Sequence, residues 1–390
     1  MSRTRDLGKI ISGNFDVPAS SLDNVTRSNI SDLGTGALSN RNMIINGAMQ
    51  VAQRGTSVTA AGGGAYSSPD RFRFQTNANG NSVISQDTDT PSGFNNSFKL
   101  TVGTGSTPSG SDFGRLYYRV EGYDADQLQL GSASSSAVTL SFWVKASVAG
   151  TYGIQFAGDG LGGFIASYAV SATGTWEYKT VTIPAGVWTT YNGSTTNLTG
   201  FQVAFDLGEG PSRSNVTGYN AAISSGHMGL TGGTKILATS GATWQITGVQ
   251  LEVGDTATPF EHRSYGDELA RCQRYFWAQV PKGEANGAGG NAGQYIIGDG
   301  GFLGTGQVEC HVQYPVQMRA SPTLQPSSGT NHFLLEASSG IDYFSNLVAF
   351  AQKKQSSLLY NSGATSGTAG EYTRVAASSV NSYVYWDAEL

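Results

Sequence analysis

The feature that most constrains this chain is an alternation of period two, repeated in segment after segment and interrupted by clusters of glycine and small polar residues. In Thr139 to Ala146, Leu140, Phe142 and Val144 share one face while Ser141, Trp143 and Lys145 share the other, which is the spacing of a half-buried β-strand. Phe201, Val203, Phe205 and Leu207 repeat the pattern. Trp176, Tyr178, Thr180 and Thr182 alternate against Glu177, Lys179, Val181 and Ile183 until Pro184, which has no N–H to donate, stops the ladder. Ala61 to Gly64, Gly103 to Ser111 and Asn192 to Asn197 carry turn and loop chemistry. Many strands with few helical intervals predict an antiparallel β-sandwich from about Arg41 to Glu261.

One strand carries a fault in its parity. Trp244 and Ile246 occupy even positions, whereas Val249, Leu251 and Val253 occupy odd ones. A bulge near Gly248 reconciles them, because one extra residue flips the facing of everything that follows and glycine tolerates the dihedral angles a bulge needs. Tyr265 to Trp277 departs from the β pattern: Leu269, Cys272 or Gln273, and Phe276 recur at helical spacing, with Asp267 and Glu268 in the first turn where the helix dipole favours acids. One short helix is predicted there. Beyond a Gly- and Asn-rich stretch, Lys282 to Gly293, short strands return around Gln307 to Tyr314, Leu334 to Ala337, Leu347 to Gln352 and Ser382 to Asp387. The expected organisation is an all-β chain: an N-terminal arm (1–40) too polar to bury a core alone, a sandwich (41–264), a helical connector (265–280) and a smaller C-terminal β domain (281–390).

Composition supports strands over helices and narrows function. Only 13% of the 390 residues are charged, while 53 are glycine, a balance that favours tight turns. A net charge of -5 supplies no cationic field to gather phosphates, so no nucleic-acid partner is expected. Met1 to Ile11 mixes Arg3, Arg5, Asp6 and Lys9 with a short apolar stretch, so neither a secretory signal nor membrane insertion is expected. The two cysteines, Cys272 and Cys310, are too few for a disulfide framework and are read as reduced thiols.

Catalytic, cofactor and metal constellations are sparse. Cys310 and His311 are neighbours on a predicted strand and must point to opposite faces. Cys272 sits on the apolar side of the predicted helix and reads as a packed thiol. Gly229-Leu-Thr-Gly-Gly-Thr-Lys235 superficially resembles a phosphate loop, but the residue order is wrong and no strand leads into it. No catalytic residue, metal ligand or cofactor is assigned, and no enzyme activity is expected. The remaining candidates are rings in turn-rich stretches: Tyr66, Trp188, Tyr191 and Tyr219 lie among Gly, Ser, Thr and Asn, where aromatic faces suit sugar rings. The competing reading is that they cap the core or a subunit interface.

The run Asn40 to Gly55, Asn-Arg-Asn-Met-Ile-Ile-Asn-Gly-Ala-Met-Gln-Val-Ala-Gln-Arg-Gly, followed by Tyr66 and Asp70-Arg71-Phe72, resembles the opening of a domain common in tailed-bacteriophage fibre and other virion proteins. Thr139 to Ala146 is similar to its middle. Gln250-Leu-Glu-Val-Gly254, Ala257-Thr-Pro-Phe-Glu261 and Tyr265 to Phe276 are similar to its close, and Pro315 to Pro322 with Trp386-Asp-Ala-Glu-Leu390 extend the likeness. The resemblance implies a jelly-roll sandwich of the kind found in carbohydrate-binding modules, carried on a homotrimeric tail fibre. Residues 1–40 would dock onto other virion proteins, and the subunit, made in the bacterial cytoplasm, would contribute to attachment to host-surface glycan. Two alternatives stand beside this: a capsid decoration or tail adaptor protein without host contact, and a surface-polysaccharide depolymerase, against which the lack of a 20- to 50-residue repeat argues.

Overall fold

The alternation seen in the sequence becomes two facing antiparallel sheets. The computed structural model describes residues 40–60, 66, 68–77, 81–158, 161–191, 193–224, 226–283, 295–361 and 365–390; the expected arm lies outside them, save Asn40. The first sheet has six strands in the order Ser57–Ala60, Ser82–Asp87, Ser97–Thr101, Thr243–Val253, Val138–Ala146 and Glu177–Ile183. The second also has six, in the order Gly218–Ser224, Leu161–Val170, Gly150–Ala157, Thr199–Asp206, Gly114–Glu121 and Arg73–Thr76. Each sheet turns the apolar phase of its strands inward: Leu140, Phe142 and Val144 from one meet Phe201, Val203 and Phe205 from the other in a single buried core. Phe142 is set edge-on to Tyr168 and Phe205 at 5.1 and 5.3 Å, a favoured aromatic geometry. The fold is an all-β jelly-roll sandwich.

The parity fault is a bulge. Thr247 pairs with Trp143 and Gln250 with Ser141, and the register shifts between them. Gly248 takes a φ of +62°, a left-handed conformation open to glycine at little cost. Trp244, Ile246, Val249 and Leu251 consequently all lie in the core. Pairing with Ser97–Thr101 covers only Thr243 to Ile246, and beyond the bulge the vacated edge is taken by the opening segment. Val249 N donates to Gly47 O at 2.9 Å and Met43 N to Leu251 O at 2.9 Å. Asn42 Oδ1 accepts from Leu251 N and its Nδ2 donates to Val249 O.

The helix spans Tyr265–Gln273, with Ser264 Oγ capping Asp267 N at 3.2 Å, as an N-cap serine should. It stops short of the expected Trp277. Phe276–Val280 is instead a strand paired with Val384–Asp387, because Phe276 is buried against the sandwich while Trp277 pairs with Trp386. A second, four-residue helix, Gly122–Ala125, was not foreseen. The three-stranded sheet Phe276–Val280, Val384–Asp387 and Thr323–Pro326 packs with a seven-stranded antiparallel sheet over a second core running from Val280 to Ala388. Cys272 and Cys310 are free and buried, and burial pushes the Cys310 thiol up to about 12. No helix among the described residues is long and apolar enough to cross a membrane.

The chain's last residues return to the sandwich. Glu389 forms a buried ion pair with Arg71, whose guanidinium lies 3.5 Å from the centre of the Tyr275 ring. Arg54 stands within 3.7 Å of Asp70, Asp387 and Glu389. Across the same junction, Arg274 Nη2 and Tyr275 Oη donate to Glu121 at 2.6 and 2.7 Å.

Two outcomes are expected. Gly248→Val should lower stability by about 1 to 3 kcal/mol in thermal melts, because a side chain there is strained and its Cβ would sit 2.6 Å from the Phe94 ring. Burial pushes the Asp70 carboxyl up to about 6 against the opposing pull of Arg54, whereas an unfolded aspartate titrates near 4. The folded state thus holds this proton more tightly, so the contribution of Asp70 to stability is largest below about pH 4 and falls as pH rises through about 6. Melts from pH 4 to 7 should show a shallower decline in Asp70→Asn than in the parent.

Candidate functional site

Two strands that turn their apolar phase inward must turn the other phase outward, and on the first sheet that outward phase includes large rings. Trp143, on Val138–Ala146, and Tyr178, on the edge strand Glu177–Ile183, are paired residues in the register, with centroids 5.4 Å apart and planes at 52°. Tyr178 is 45% exposed. With Thr180, Thr182 and Gly248 they line an open groove of about 720 Å³, whose walls are Ser92 to Phe94 and Asp255 to Phe260 with His262. Phe94, Phe260 and His262 form a ring cluster with centroids 4.9 to 5.3 Å apart.

Both walls are held by side chains beneath them. Asp89 anchors the first: it is paired with Lys145 and accepts from Trp176 Nε1 at 3.1 Å, and these donors, Lys145 foremost, hold its carboxyl below its ordinary range. Glu252 and Gln250 anchor the second. Glu252 accepts from Thr258 N at 2.9 Å and Thr258 Oγ1 at 2.7 Å, and Gln250 Oε1 accepts from Glu261 N at 2.8 Å. Walls fixed before a ligand arrives reduce the ordering cost of binding. The groove combines flat apolar rings with the hydroxyls of Ser92, Thr180, Thr182, Thr256 and Thr258 and one carboxylate, Asp255. Such a surface matches a pyranose, apolar on its faces and hydroxylated at its rim.

The rings singled out from sequence lie elsewhere. Trp188 is fully buried, packed edge-on to Phe201 and Tyr219 at 5.7 and 5.6 Å; it closes the end of the core, has no free face, and the expectation of sugar stacking is corrected. Tyr219 Oη is engaged with Thr190, accepting from its N at 2.9 Å and donating to its O at 2.7 Å. Tyr191 Oη donates to Gly200 O, and the ring lies against Gly158. These three gather at one end of the sandwich as packing. Tyr66 is apart from them: its Oη donates to Leu390 O at 2.9 Å, beside the junction, where it lines a hollow of about 490 Å³ with Arg54, Arg73, Gln325, Tyr385 and Asp387.

Comparison with known proteins adds little to this geometry. No family model matches the chain, and no curated protein matches it. Among solved structures, the enzymatically active domain of bacteriophage CBA120 tailspike protein 4 overlaps 54% of this chain at 11% identity and a TM-score of 0.28, and the chain spans only 21% of that protein. A family 4 carbohydrate-binding module overlaps 48% of this chain and 96% of its own length at 16% identity and a TM-score of 0.28. The xylan-binding CBM22-1 domain of Paenibacillus barcinonensis Xyn10C overlaps 53% of this chain and 94% of its own length at 8% identity and a TM-score of 0.25. Overlaps of this extent leave the site to be read from the chain's own residues.

Proposed function

We propose that this chain is a non-enzymatic structural subunit of a tailed-phage particle, of the tail-fibre type, and that it holds host-surface glycan in the groove above Trp143 and Tyr178. The observation that carries the binding reading is the groove itself: the half-buried ring of Trp143 and the exposed ring of Tyr178, a second ring cluster and several hydroxyls in one lining, on loops held by the carboxylates of Asp89 and Glu252. The virion assignment rests on the likeness of Asn40 to Gly55, Asp70 to Phe72 and Gln250 to Glu261 to fibre proteins. Binding without turnover is supported by the lining, which among the described residues offers one carboxylate, Asp255, where glycoside hydrolysis ordinarily uses two. An open groove binds weakly, and three copies on one fibre would multiply such contacts by about 10² to 10⁴, which favours a homotrimer anchored through residues 1–40.

A glycan array followed by calorimetric titration of its strongest hit tests the reading. Tyr178→Ala and Trp143→Ala should each weaken binding by about tenfold or more, roughly 1.4 kcal/mol, with melting temperatures near that of the parent, while Tyr123→Ala, an exposed ring elsewhere on the sandwich, should bind as the parent does. Unchanged affinity in both groove variants, or no glycan bound by the parent, would overturn it.

A further inference from the structure

The stretch Gly229 to Lys235, which resembled a phosphate loop and proved to be none, delivers Lys235 to a buried acid. Asp206 ends the strand Thr199–Asp206, and its side chain is fully enclosed. Its Oδ1 accepts from Glu209 N at 2.9 Å, and its Oδ2 accepts from Leu230 N at 2.9 Å and from Lys235 Nζ. Lys235 Nζ has a second acceptor, Leu230 O, at 3.3 Å, so the amine is fixed against the carboxyl. Glu209, also fully enclosed, lies alongside: a Cβ placed on Gly229 would run into Ser214 Oγ and lie 2.5 Å from Glu209 Cβ and 3.2 Å from Asp206 Oδ2. Only glycine fits against both acidic residues there.

The surroundings disfavour charge. Burial raises the Asp206 carboxyl above its usual range despite Lys235 beside it, and pushes Glu209 up to about 8 even with Arg115 Nε 2.6 Å away. Arg115 faces both oxygens of Glu209, with Nε 2.6 Å from Oε1 and Nη2 3.3 Å from Oε2, and so fixes the carboxyl within the same enclosure. An enclosed ion pair is costly to keep dehydrated, whereas an amide joining Lys235 Nζ to Asp206 Cγ carries no charge, and fixed proximity supplies much of what such a condensation needs.

We propose that Lys235 and Asp206 join through an intramolecular amide bond, with Glu209 as the proton carrier. Within the pair, the ammonium passes one proton to the carboxylate, giving amine and acid. The Nζ lone pair adds to Asp206 Cγ; the Cγ–OH bond breaks; the departing hydroxyl takes a proton from the nitrogen by way of the Glu209 carboxyl and leaves as water. One C–N bond forms, one C–O bond breaks, and nothing is oxidised or reduced. The bond ties an inner strand of the second sheet to the segment that leads, through Ile236–Ala238, into Thr243–Val253 of the first. It is independent of the glycan reading.

Mass spectrometry of the denatured full-length chain, followed by peptide mapping, decides the matter. The parent should be lighter than its sequence by one water, with a branched peptide joining Asp206 to Lys235. Lys235→Arg should return to its own sequence mass, Glu209→Gln should leave a large unjoined fraction, and Asp206→Asn should still close, losing ammonia in place of water. A parent at full sequence mass, or a loss of water mapped to other residues, overturns the proposal, and this holds even if a variant fails to fold because the parent's digest alone gives the answer.

Discussion

A single left-handed residue, Gly248 at φ +62°, sets the terms for the rest of the sandwich. Thr243–Val253 is an inner strand of the first sheet, and its two halves place apolar residues on opposite parities. A regular ladder would send Val249 and Leu251 to the outer surface. The inserted residue turns them back into the core and ends the pairing with Ser97–Thr101. The released edge is then open to the opening segment, which docks through Asn42 and Gly47. On the outside the same residue leaves a floor without a side chain between Phe94 and Trp143. Core, chain entry and groove thus share one cause.

The segments from Asn40 to Gly55, Asp70 to Phe72 and Gln250 to Glu261 do mostly architectural work. Asn46 Nδ2 donates to Val51 O and Asp70 O; Gln53 bridges Asp70 and Phe276 O; Gln250, Glu252 and Glu261 clamp the segment from Thr258 to Glu261. At the junction, Arg71 from the opening motif meets Glu389 from the closing one. Buried pairs of this kind are poor sources of net stability but demand a specific geometry, so they fix how the chain end seats on the sandwich. Those segments therefore mark where the scaffold begins and closes. Of the groove rings, Trp143 and Phe260 belong to the quoted motifs, whereas Tyr178 and Phe94 lie outside them.

This separation explains what was legible in the sequence. Val138–Ala146, Thr199–Asp206, Glu177–Ile183 and Val308–Gln313 follow local periodicity, and the bulge announced itself through parity. Gly150–Ala157, Leu161–Val170 and Tyr295–Phe302 did not, because glycines and buried polar residues such as Gln155 blur the alternation. The helix overran its true end because Phe276 keeps helical spacing while its burial comes from a distant strand. For the site, rings were ranked by their sequence neighbours, and Trp188 in a polar loop proved to be core. The better signal was phase: Trp143 and Tyr178 fall opposite the apolar residues of their own strands. That phase says outward; only the fold brings the loops at Ser92 to Phe94 and Asp255 to Phe260 beside them.

The two proposals meet in mechanics. If the groove, whose lining carries no Lys or Arg among the described residues, holds glycan as proposed, each contact would be weak, attachment would draw on several grooves engaged together, and the load would still pass through each sandwich. Hydrogen bonds run within each sheet, but between the sheets the core offers mainly apolar contact, which resists shear less than a covalent path does. The proposed bond from Asp206 to Lys235 would fasten the segment that covers the outer face of the second sheet, where Leu230 packs with Ile165 and Ile223, and the Arg71–Glu389 pair ties the sandwich to the C-terminal sheet. On these two proposals, weak, repeated binding outside and a rigid cross-link inside would answer the same demand, since avidity is gained only while every subunit keeps the shape that lets its groove reach the surface.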